Sequence, residues 1–195
     1  MSEFKDPTGV ARVAMVALGV YMASKLLLTL LQPGASPGDP VVGLLALVYL
    51  VALLACYVLV GWWIYRTNAN AHTFTSTMAI SPGWSIGWFF VPFANLAMPY
   101  QGVKEVWQES HRSAGLHEEA ESSLVGWWWG LWIASNVASN LAVWTGGYSA
   151  APGEGLPYFS LISAGVSIAA SLVLIQMMRQ LNRAQLTASH GSVFE

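Results

Sequence analysis

VVGLLALVYLVALLACYVLVGWWIY, residues 41–65, carries no charged side chain. An apolar run of this length exceeds the roughly 20 residues that cross about 30 Å of hydrocarbon, so it reads as a transmembrane helix. Residues 10–31, 125–144 and 159–178 read the same way. QPGASPGDP lies between the first two runs, and TGGYSAAPGEGLP between the last two. Neither connector can continue a helix, because proline lacks the backbone donor and glycine costs conformational entropy. The sequence therefore predicts an all-α polytopic membrane protein with four transmembrane helices in two hairpins. A polar connector, residues 66–124, joins the halves, and the whole of 1–195 forms one membrane domain.

Composition agrees. Of 195 residues, 55% are hydrophobic and only 9% charged, against roughly 25% charged in soluble domains. So few charges cannot cover such a body in water, which excludes a soluble monomer. A net charge of −2 with scattered cations excludes a nucleic-acid partner. The single cysteine, Cys56, excludes an intrachain disulfide and argues against a thiolate metal cluster. A cleaved signal peptide is not expected at the first run, which is too long and has Glu3 and Asp6 where a basic segment would stand.

Cations near span ends stay on the cytoplasmic side. Lys5 and Arg12 lie at the start of the first span, Arg66, Lys104 and Arg112 in the connector, and Arg179 and Arg183 after the fourth span. Lys25 alone falls far from a span's cytoplasmic end. This distribution predicts that both termini and the connector are cytoplasmic. Tryptophan prefers the headgroup level, and Trp62, Trp63, Trp127, Trp128 and Trp129 cluster at the same side. Their rings serve as interfacial anchors or line a groove for a lipid, pigment or partner helix.

The connector contains WSIGWFFVPFANLAMPY, residues 84–100, nearly as apolar as a span but broken by Pro92, Asn95 and Pro99. A fifth crossing would move Lys104, Arg112 and the C-terminal arginines to the other side and destroy the charge asymmetry. A re-entrant or interfacial segment is the preferred reading, shielded by protein where its backbone is irregular. At about residues 100–110, Tyr100, Val103, Val106, Trp107 and Ser110 alternate with polar residues at helical spacing, which predicts an amphipathic helix lying on the membrane surface. HRSAGLHEEAESS then reads as a solvated loop. His111, His117, Glu118 and Glu119 match no established metal spacing, so no metal or cofactor is expected.

YRTNANA at 65–71, SPGWSIGWFFVPFANLAMPYQ at 81–101 and KEVW at 104–107 resemble a family of bacterial integral membrane proteins known as domain of unknown function 4328. The Pro-Gly-Trp and Val-Pro-Phe-x-Asn-Leu elements carry the resemblance. Ala97-Met98 departs from it, since a bulkier aromatic and a basic residue would be expected there. The resemblance implies a multi-pass protein of the bacterial cytoplasmic (inner) membrane and lends no catalytic residues.

Inside the spans, Lys25 reads as a snorkelling lysine or as the charge of a polar intramembrane site. Helical rise puts Asn136 and Asn140 at a depth matching Lys25. Ser135, Asn136, Ser139 and Asn140 read as one face of the third span, and Ser163, Ser167 and Ser171 as a stripe on the fourth suited to close packing. The candidate polar site is Lys25 with Asn136, Asn140 and Ser167. No His-Glu-x-x-His helix, Gly-x-Ser-x-Gly elbow or phosphate-cradling loop is present, so the expectation is not an enzyme. The leading expectation is a component that binds a partner protein or lipid through Trp84, Trp88, Pro92, Asn95, Pro99, Tyr100 and Trp107. The alternative is a small transporter or channel around Lys25. Expected partners are membrane lipids and a protein partner or further copies of the chain.

Overall fold

A computed structural model describes residues 3–36, 38–144 and 158–191. Every regular element among them is helical: α1 (Thr8–Leu31), α2 (Pro40–Phe74), α3 (Pro82–Gly87), α4 (Met98–Ser113), α5 (His117–Ala120), α6 (Leu124–Trp144) and α7 (Tyr158–Gly191). The connector expected at 145–157 lies outside the described residues.

Three helices, α1, α2 and α7, are long and apolar enough to cross a membrane. The tryptophans, asparagines and serines of α6 lower its hydropathy, and it is not among them despite its 21 residues. α1 packs along α2, and α6 along α7. The first pair runs in opposite directions, because Lys5 ahead of α1 bonds Asn70 near the end of α2 while Tyr21 stacks on Tyr49 further along.

Local chemistry accounts for the helix ends. Gly38 takes a left-handed φ of 82°, and Asp39 Oδ1 then accepts from Val41 N and Val42 N at 2.8 and 3.3 Å. Pro40 occupies the first turn, where its missing donor costs nothing. α4 ends with Gly115 at φ 75°, Leu116 N donating to His111 O and Gly115 N to Arg112 O. These paired bonds satisfy carbonyls that the helix end leaves free. The amphipathic helix expected at about 100–110 thus extends to Ser113, and the stretch read as loop holds the short α5.

α2 and α7 outrun the apolar stretches that announce them, by nine residues past Tyr65 and thirteen past Met178. A helix does not stop where its hydrophobicity stops. No proline interrupts either extension, and most of their inward polar groups find partners, Arg66 Nε and Asn68 Oδ1 excepted. Around these extensions sits the main core of Trp63, Ile64, Val106, Trp107, Met177 and Leu181, joined by Val125, Trp128 and Trp129 at the start of α6. By contrast, Leu44, Leu47, Val51, Leu54 and Val58 of α2 are exposed apolar surface.

Candidate functional site

The extension of α2 points Thr67, Asn68 and Asn70 inward, each 2% exposed or less. Buried amides must be hydrogen bonded, and here they tie four segments together. Asn70 Nδ2 donates to Lys5 O at 2.9 Å and to Gln185 Oε1 at 3.0 Å, and Lys5 N returns a bond to Asn70 Oδ1. Gln185 Nε2 donates to Thr67 O at 2.8 Å and to Ser110 Oγ of α4 at 3.0 Å. Trp63 Nε1 donates to Asn182 Oδ1 at 3.0 Å. The YRTNANA segment is therefore the hub of a buried amide network. Sequence reading missed this, although a dense run of small amides directly after an apolar helix was its signal.

That hub also holds the apolar segment. Asn68 Nδ2 donates to Ile80 O at 3.1 Å, and His72 Nε2 lies 3.2 Å from the same oxygen. Ala79 N and Ile80 N donate to the Glu105 carboxylate of α4. Ile80 packs over Gly102, where a β-carbon would stand 3.5 Å from Ile80 Cδ1. Residues 80 and 102 are neighbours, so the chain between them leaves and comes back to one place. Within this excursion α3 is followed by two 3-10 turns, Trp88–Phe90 and Ala94–Leu96. Phe93 joins them at φ 63°, ψ −41°, with Ala94 N donating to Pro92 O at 2.8 Å. This is a γ-turn of the positive-φ kind, a strained conformation for a residue with a side chain.

The side chains expected to form a docking face divide. Trp84 is exposed and lies 4.6 Å, ring to ring, from the half-buried Trp88. Pro92 is exposed, and Asn95 and Tyr100 are half-buried. Phe90 and Phe93, which sequence reading left out, are 81% and 89% exposed. Pro99 and Trp107 are buried. Trp107 belongs to the core, its Nε1 donating to Glu119 O at 2.8 Å, and cannot meet a partner. The apolar face of α4 is likewise spent inside the protein, since Val103, Val106 and Ser110 are buried against α2, α6 and α7. It has no free apolar face to lay on a membrane surface.

Lys25 is 8% exposed. Its Nζ donates to Ser167 Oγ at 2.9 Å and Ser163 Oγ at 3.3 Å, and Ser163 also pairs with Ser139 at 2.7 Å. Tyr21 lies beneath the ammonium, 5.9 Å from ring centroid to Nζ. The expected Lys25–Ser167 contact is present, whereas Asn136 and Asn140 do not join it. One residue along a helix turns the side chain by about 100°, so Ser135 and Ser139 face inward while both asparagines stay exposed. Their Nδ2 atoms bond Trp132 O and Asn136 O of their own helix, and they look onto the excursion at Asn95 and Leu96. Leu96 O is held there by Trp129 Nε1 at 3.1 Å.

Outside the long helices, His111 stacks on Trp107 with centroids 4.2 Å apart, its Nδ1 at 2.7 Å from Trp107 O. Burial holds its pKa below the ordinary histidine value, against the opposing pull of that bond and of Glu119. A hydrogen bond to Glu121 raises the pKa of Arg112. Bonds from the Thr8 side chain and backbone lower that of Asp6. Among the described residues no three His, Cys, Asp or Glu side chains gather as metal ligands.

No curated protein and no solved structure matches the chain. The family described as Domain of unknown function (DUF4328) matches residues 30–183, which include the amide hub, the excursion and most of α7. This chain, with three helices long and apolar enough to cross a membrane, therefore belongs to the DUF4328 family.

Proposed function

We propose that the protein is a non-catalytic component of the bacterial inner membrane that binds lipid or a partner protein through the excursion between Ile80 and Gly102. In this reading α1, α2, α6 and α7 cross the bilayer as two hairpins, and both termini and residues 66–124 are cytoplasmic. The one-sided placement of every cation except Lys25 supports that orientation. The adjacency of Ile80 and Gly102 supports a segment that enters and returns over a fifth span. The bond from Trp129 Nε1 to Leu96 O, near the start of α6, supports a shallow dip.

The carrying observation is the uncovered aromatic rim of Trp84, Phe90 and Phe93 on a segment clamped at both ends. Clustered apolar exposure on a fixed backbone marks an interaction surface. Native mass spectrometry from nanodiscs tests it. The wild-type chain should retain a lipid or protein that the Trp84→Ala, Phe93→Ala variant loses. Bare chain in both samples overturns the reading.

The hydroxyl cage around Lys25 favours a second reading, a small transporter or channel, because an intramembrane cation ordinarily marks a ligand path. Proteoliposomes should then show a flux that Lys25→Met abolishes. A flat wild-type trace removes this alternative.

A further inference from the structure

Lys25 stands six residues before Leu31, the last of α1, which is about 9 Å of helix. A lysine stem near a span end ordinarily carries its ammonium out to the headgroups. Here it does not. Lys25 is 8% exposed, and its Nζ is turned across the bundle onto Ser167 and Ser163 of α7, residues that are themselves 5% and 0% exposed. Ser139 of α6 backs Ser163, so α1, α6 and α7 converge on this charge.

The charge is uncompensated. Among the described residues no carboxylate lies within ion-pair reach of Lys25, and residues 13–24, 26–31, 40–65, 124–144 and 158–178 carry no charged side chain. Asp39, at the same end of the first hairpin, caps α2 instead. Neutral hydroxyls satisfy the hydrogen bonding of an ammonium but leave its charge, and burying that charge is costly. An ammonium also has three donors. Two go to the serines, and the third has no acceptor among the described residues. Ser139 and Ser163 share one bond, so one hydroxyl hydrogen of the pair is not used between them.

Charge arithmetic selects the class of ligand. One negative charge neutralises the ammonium, whereas sulfate or divalent phosphate would leave an excess of opposite sign at the same depth. A cation would add to the charge already there, and a neutral or zwitterionic amphiphile would leave it standing. A second copy of the chain brings no carboxylate in its spans.

We propose that the hydroxyl cage around Lys25 binds one monovalent anion, a halide or the carboxylate of a fatty acid, against the unused donor of the ammonium. The site rests on the second reading above for its intramembrane charge and does not require transport.

The full-length chain in detergent, held in sodium gluconate and titrated with sodium chloride, tests this by broadening of the chloride NMR signal. The wild type should broaden the signal saturably and give it up to bromide. Lys25→Met should abolish the broadening while unfolding no earlier than the wild type in gluconate, which separates lost binding from lost fold. Ser139→Ala with Ser163→Ala should weaken binding about tenfold. Sodium oleate distinguishes the sources: displacement of chloride admits both to the site, and Lys25-dependent binding of oleate without chloride assigns it to a lipid carboxylate. A wild type that holds neither ion overturns the proposal, and so does broadening that Lys25→Met leaves intact. Chloride binding that appears only in Glu154→Gln also overturns it, since a carboxylate of the chain would then be the counter-charge. Flux in proteoliposomes keeps the two readings apart. Binding without flux removes the transporter and keeps the site, whereas flux that Lys25→Met abolishes, without anion binding, overturns the site and keeps the transporter.

Discussion

Asn70 and Gln185, 115 residues apart, share a buried hydrogen bond of 3.0 Å that fastens the end of α2 to the end of α7. Gln185 also reaches Thr67 O and Ser110 Oγ, so one side chain joins three helices. Replacing it by leucine leaves Asn70 Nδ2 short of one acceptor and two other buried groups short of a donor. Each such loss costs roughly 1–3 kcal/mol. Gln185→Leu should destabilise the protein by about 3 kcal/mol, a fall in Tm of roughly 6–12 °C for a chain of this size. Thermal unfolding in detergent by circular dichroism checks it, and a shift under about 2 °C would mean the network carries little.

Gly102 lies under Ile80, where the excursion closes. A β-carbon there meets only ordinary contact at 3.5 Å, so space is not what requires glycine. Gly102→Ala should stabilise α4 by about 0.5–1 kcal/mol through the reduced entropy of the unfolded chain. Gly102→Phe should displace Ile80 and loosen the Glu105 bonds to residues 79 and 80. Hydrogen exchange at Ala79 and Ile80 amides distinguishes the two, with faster exchange in the phenylalanine variant alone.

The helices were legible because apolar runs and proline-glycine breaks act locally. What was not legible depends on the partner an element meets. Hydropathy ended α2 at Tyr65, yet the helix continues because Thr67 and Asn70 find partners on α7 and the N-terminal segment, and Asn68 on Ile80 O. Periodicity correctly grouped Val103, Val106 and Trp107 on one face of α4, but an apolar stripe is the same whether it meets lipid or protein. For the polar site, depth arithmetic brought Asn136 and Asn140 level with Lys25, and only the rotation of α6 decides that Ser139 faces the cage and the asparagines do not.

Lys25 is bonded to two serine hydroxyls and, among the described residues, to no carboxylate. Burying an ammonium costs more than neutral hydroxyls return. Lys25→Met should therefore leave stability unchanged or raise it by about 1–2 kcal/mol. Ser167→Ala keeps the charge and removes its nearer partner, so it should lower stability by a similar amount. Thermal unfolding of the two variants side by side reads opposite signs; a loss in both would show that the ammonium stabilises the fold.

His111 is packed as a neutral ring whose Nδ1–H donates to Trp107 O. Its pKa in the fold lies below the ordinary 6.5, so below that pH the unfolded chain binds the proton more readily than the folded one. Stability is full above about pH 6.5 and falls as pH drops through 6.5 toward the lower folded value. His111→Phe keeps a ring against Trp107 and should flatten the stability profile between about pH 5 and 7. An unchanged slope in that variant would assign the acid sensitivity to another group.

Phe93 stands at φ 63° with its ring 89% exposed, so neither packing nor backbone preference explains a phenylalanine there. Glycine adopts that conformation without a β-carbon clash, and strain of this kind costs of order 1–3 kcal/mol. Phe93→Gly should accordingly raise stability by about 1 kcal/mol while removing the most exposed ring of the excursion. Phe93→Leu keeps the strain and an apolar side chain. If the turn exists to present an apolar group, the glycine variant will be more stable but lose its retained lipid or partner in native mass spectrometry, and the leucine variant will keep it. A glycine variant that gains stability and loses nothing would leave the strained turn without a binding role and return the excursion to a purely structural part.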